Sequence, residues 1–121
     1  MMTYKKIRVD VYNSDVWVVA DRETAERIAW NKLGVNVSDA DFEANGFCAY
    51  SKAGDMIWLP SNASCGVIAH ECAHAALNIC HRRGIAIDTG NQEPFTYLIG
   101  FLVNRVTDAA LLLWGDHDTR G

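Results

Sequence analysis

The chain has 121 residues, half of them apolar, and a formal charge of −4 from 11 Lys and Arg against 15 Asp and Glu. That length points to one domain over residues 1–121 with a modest core. With no basic run beyond Lys5-Lys6 and Arg82-Arg83, the charge pattern argues against a nucleic-acid surface. No stretch reads as a membrane span, and no apolar signal core follows Met1-Met2-Thr3-Tyr4-Lys5-Lys6. A soluble cytoplasmic protein with neither nucleic-acid nor membrane partners is expected.

Residues 7–12 alternate apolar and polar like a half-buried strand, 13–15 are turn material, and 16–20 read as a second strand of a hairpin. Asp21 or Thr24 is placed to cap a helix over 22–33 whose apolar face is Ala25, Ile28, Ala29 and Leu33, and Gly34 ends it. Residues 36–45 are loop-like. Residues 47–51, a turn at 52–55 and 56–59 read as a second hairpin, stopped by Pro60.

Ser61, Asn62 or Ser64 caps the next helix, expected over 65–83 and closed by Gly84. After a connection at 85–91, Pro94 sits near the start of a last helix running to about Trp114, followed by a polar tail at 115–121. The order β-β-α-β-β-α-α predicts an α+β fold, a small mixed sheet of two hairpins covered by helices.

Four cysteines, Cys48, Cys65, Cys72 and Cys80, form no C-x-x-C pair. Cys65, Cys72 and Cys80 share a narrow sector of the 65–83 helix and read as small apolar core residues rather than disulfides.

Within that helix stands His70-Glu71-Cys72-Ala73-His74, an H-E-x-x-H string in an apolar setting. Residues four apart lie one above the other on a helix face, so the two imidazoles can hold one metal ion between them. Glu71 points to one side, where it reaches water on the metal rather than the metal itself. Zinc hydrolysis needs that division: nitrogen ligands, a free carboxylate and an open position.

Zinc also takes a third protein ligand. His81 is seven residues past His74, about 10 Å along the axis, which is too far for a shared ion. Against Asp88, Asp108 and the polar side chains at 116–118, Glu93 is preferred: it follows His74 by 18 intervening residues, at the first turn of a helix expected to return antiparallel. Asn78 and Asn104 read as solvated positions, and Trp17, Trp30, Trp58 and Trp114 as core or rim.

His70, Glu71 and His74 followed at this distance by Glu93 resemble the gluzincin group of zinc metallopeptidases, which includes thermolysin-like proteases and the large zinc aminopeptidases. In size the chain is similar to minimal single-domain zincin-like members and to small phage- or prophage-encoded predicted peptidases, whose place of action would be the host cytoplasm.

The resemblance implies one zinc ion on His70, His74 and Glu93, with Glu71 as general base and acid in peptide-bond hydrolysis. It also implies a sheet edge at Met56-Ile57-Trp58-Leu59 that pairs with extended substrate. Thermolysin-like members carry an Asp four residues after the ligand Glu; Tyr97 stands there, on the face of Glu93, within reach of His70 or of the open zinc position. Tyr97, Tyr50 and His117 are the candidate oxyanion donors. The downstream domain that walls the cleft in larger members has no counterpart in this sequence.

The expected partner is a peptide or protein substrate, in one version a single specific protein. The competing expectation is a non-enzymatic zinc-binding protein that engages a host target, in which a fourth protein ligand would close the site.

Overall fold

The computed structural model describes residues 2–118. Its elements are β1 (Tyr4–Val9), β2 (Ser14–Val19), α1 (Arg22–Ile28), β3 (Phe47–Ser51), β4 (Gly54–Trp58), α2 (Cys65–Arg82) and α3 (Glu93–Asp118). This is the α+β layout expected from the order of predicted elements. The strands form one sheet in the order β1-β2-β4-β3. Both hairpins are antiparallel, and they join through a parallel β2–β4 pairing, Val16 opposite Asp55 and Val19 opposite Trp58.

Strict alternation in the central strands sends their side chains into two cores. Val16, Val18, Ile57 and Leu59 join Ile7 and Val9 beneath α2 and α3. Trp17, Val19, Met56 and Trp58 face the other way, against Ala25, Ile28, Ala29 and Leu33 of α1 and the wider turn that continues it. The two long helices share one face: α2 packs on β4 and β3, and α3 packs on β1 and β2. They are antiparallel, since Trp114 near the end of α3 donates its indole N–H to the carbonyl of Leu59, ahead of the start of α2 (3.1 Å).

Several boundaries moved. The first strand lies three residues earlier than expected, because Asp10–Tyr12 coil into a short 3-10 turn that ends on left-handed Asn13. The last helix runs through to Asp118, and residues 119–121 lie outside the described residues. That helix also corrects the reading of membrane potential: its stretch Glu93–Gly115 is long and apolar enough, by length and composition alone, to cross a membrane. Here 39% of its most apolar window is buried, with Leu98, Leu102, Val106 and Leu113 in the core against the sheet and α2.

The cysteine sector is divided. Cys72 and Cys80 are buried, and Cys65 is exposed at the first position of α2.

A buried polar group fixes how α2 sits on the β3–β4 hairpin. Asp55 is 0% exposed, pairs with Arg82 and accepts a hydrogen bond from Asn78 (2.8 Å). Arg82 also donates to the carbonyl of Ser51 (3.3 Å). Burial pushes the Asp55 carboxyl up, and the bonds from Asn78 and Arg82 pull it back down. Asn78 is therefore a packed hydrogen-bond donor, not the solvated residue expected. A carboxylate with no water around it needs both partners, so this network holds α2 at one rotation.

Candidate metal centre

The α2 helix is closed at both ends by its own sequence. Ser64 accepts from the Val67 N–H (3.2 Å) as N-cap. At the other end Gly84 adopts φ +69, and the N–H groups of Gly84 and Ile85 bond back to the carbonyls of His81 (3.2 Å) and Cys80 (2.9 Å). That is a Schellman stop, which a residue with a Cβ would disfavour.

Between the caps, Ile68, Cys72, Ala75 and Ile79 are buried in the core beneath α2 and α3. At about 100° per residue, His70, His74, Leu77 and His81 fall within about 60° of one another on the opposite side. His70, His74 and Leu77 are exposed accordingly. The apolar phase of the helix thus turns the two histidines outward.

The Nε2 atoms of His70 and His74 lie 3.2 Å apart, with the rings at 74° to each other. One ring can donate an N–H to the other at this distance. The spacing also fits a shared ion: ligand nitrogens about 2.05 Å from a tetrahedral zinc sit about 3.3 Å apart. With Glu71, the side chains form a cluster whose ligand atoms lie within 4.8 Å of one another and which could hold a metal ion.

Glu71 is 6% exposed. Its neighbour across the interface is Gly46, where an added Cβ would stand 3.5 Å from Glu71 Cγ, 3.2 Å from the Trp58 carbonyl and 2.9 Å from Val67 Cγ1. A bare backbone at Gly46 lets the chain entering β3 pass against this turn of α2. Burial raises the Glu71 carboxyl above its ordinary 4.5, and charge on His70 and His74 acts in the opposite direction. Such a carboxylate has the desolvated setting of a general base. Cys72 is no ligand: it points into the core, and burial pushes its thiol up to about 12.

The structure does not bring Glu93 or Tyr97 to this cluster. They lie on α3, over the β1–β2 side of the sheet. Both line a cavity of about 1020 Å³ between α3 and β1, together with Lys5, Phe101 and Arg105. Tyr97 is 76% exposed there. The antiparallel return of the last helix was anticipated correctly, but α3 lies on the flank of α2 away from the histidines. None of His70, Glu71 and His74 lines the larger cavity, and none lines the smaller one of about 450 Å³ beside α2 and β3.

The sheet edge also differs from expectation. Met56 to Leu59 do not form an open edge: β4 is hydrogen-bonded on both sides, and Met56, Ile57 and Leu59 are fully buried. The edge beside α2 is β3. Tyr50 lies on it, exposed, across α2 from the α3 side. The side chains at 116–118, His117 among them, lie outside the described residues.

The strand at 47–51 was expected, but neither its place at the sheet edge nor the contacts of Gly46 and Asp55 with α2 were read from the sequence. No protein-family model, curated protein or solved structure matches the chain.

Proposed function

We propose that this chain is a zinc-dependent peptide hydrolase. One observation carries the reading: two Nε2 atoms at ligand spacing, with the buried Glu71 beside them and a sheet edge, β3, alongside the helix. His70 and His74 would hold the ion, and a pair of imidazoles suits zinc. A bound zinc ion supplies acidification of water and polarisation of a carbonyl.

The rest falls to the chain itself. Glu71 takes the proton of the attacking water and returns it to the leaving nitrogen. The outer edge of β3 offers backbone N–H and C=O groups to an extended peptide, as sheet edges do when they bind by strand addition. Without Glu93 the gluzincin resemblance shrinks to the H-E-x-x-H string on α2, and His70 and His74 supply two of the three protein ligands that zinc takes.

The test compares cleavage of a proteome-derived peptide mixture by wild type and Glu71→Gln, both loaded with zinc. The variant should keep its zinc and lose at least about a hundredfold in turnover. Full turnover by Glu71→Gln would remove Glu71 from the mechanism.

A second reading draws on the donor set. His70, Glu71 and His74 all come from one turn of one helix, and the imidazoles are exposed. A non-enzymatic protein that completes its zinc shell with a partner's side chains would present such a site. In that case zinc affinity rises on partner binding and no peptide is cleaved.

A further inference from the structure

A pocket of about 450 Å³ opens further along the same side of α2, lined by Tyr50, Leu77, Asn78, His81, Ile85 and Ile87, with Arg82 at its base. We infer that this pocket binds an apolar side chain of the substrate, about three residues from the peptide bond held at His70 and His74. The inference rests on the hydrolase reading and extends it to substrate preference.

Direction comes first. Gly46 stands against Glu71, Cys48 Sγ lies 3.9 Å from Asn78 Nδ2, and the Ser51 carbonyl accepts from Arg82. So β3 and α2 run the same way, side by side. Residues 71–82 of a helix and 46–51 of a strand each cover about 16 Å, so the two stay in step. A peptide lying along the β3 edge passes the histidines and then the pocket.

Distance follows. Leu77 and His81 lie on the same stripe of α2 as His70 and His74, centred about seven residues further on. That is about 10 Å along the axis, or about three residues of extended peptide.

The chemistry of the walls sets the class of side chain. Tyr50, Leu77 and Ile87 present large apolar groups to solvent here, with Tyr50 59% and Leu77 43% exposed. The polar groups at the base are already occupied: Asn78 and Arg82 both bond Asp55, and Arg82 also bonds the Ser51 carbonyl. Asn78 and Arg82 are thus held at the base, exposed His81 is the ionisable ring left on the wall, and an aromatic or long aliphatic side chain covers the exposed apolar surface of Tyr50, Leu77 and Ile87.

The test has two arms on the zinc-loaded full chain. In the first, N-acetyl-phenylalanine amide is titrated and followed by amide chemical shifts, with N-acetyl-aspartate amide as control. Shifts should gather at Tyr50, Leu77, Ile85 and Ile87 with the aromatic probe only, and Leu77→Asp should weaken them at least about tenfold at unchanged zinc affinity. In the second arm, cleavage sites in a proteome-derived peptide mixture should be enriched in aromatic or large aliphatic residues about three positions from the cut. Leu77→Asp should erase that enrichment.

Shifts gathered at the α3–β1 cavity, no shifts at all, or an enrichment that survives Leu77→Asp would overturn the inference. Shifts at the pocket without any cleavage by wild type would overturn the hydrolase reading and uphold the pocket as an apolar site.

Discussion

On the β3 side of the sheet, α2 carries two exposed imidazoles and the buried Glu71, which lies against Gly46 at the entry to β3. At the β1 edge, α3 sets Glu93 and Tyr97 over a cavity more than twice as large, with no histidine in its wall. The sequence reading placed all of these residues in one site. The difference shows what a helical spacing can and cannot carry. His70 to His74 is a relation inside one rigid helix, so four residues fix it. His74 to Glu93 spans two helices, and their relation depends on strand order, which no spacing encodes.

Breaking the β3 side should have the largest effect. His74→Ala removes half of the imidazole pair and should weaken zinc binding by at least about two orders of magnitude in a chelator-competition titration. Retained affinity would show that the metal sits elsewhere.

Next comes the device that holds α2 against β3. Asp55→Asn strips the carboxylate from a buried pair and leaves Arg82, which is 11% exposed, short of its counter-charge. It should cost about 3 kcal/mol in urea unfolding. A loss below about 0.5 kcal/mol would mean that α2 is positioned by apolar packing alone.

Gly46→Ala sharpens the comparison at a smaller scale. Its Cβ would meet Val67 Cγ1 at 2.9 Å and the Trp58 carbonyl at 3.2 Å. The overpacking should cost about 1–3 kcal/mol, read from the same unfolding curves. An unchanged midpoint would show that β3 and α2 have slack at the level of Glu71.

Much of the fold was legible because local signals agreed. The apolar run from Val16 placed β2, Asp21 capped α1 by accepting from the Thr24 N–H (2.9 Å), and Ser64 with Gly84 bracketed α2. The H-E-x-x-H string placed the histidine pair and the buried Glu71 in one cluster. The rest depended on contacts distant in sequence. The parallel β2–β4 pairing makes β4 interior and β3 the edge, although each strand reads alike in isolation. Asp55 looks like turn polarity beside Gly54 until Arg82, 27 residues later, folds over it.

The central claim is that the metal site belongs to α2 and the β3 edge, independently of α3. Zinc affinity of Glu93→Gln, measured beside wild type and His74→Ala in one competition titration, tests it most directly. Glu93 is exposed and lies outside the His70–Glu71–His74 cluster, so Glu93→Gln should match wild type within about threefold. A loss of about tenfold or more would put Glu93 on the metal and contradict the separation of the two edges.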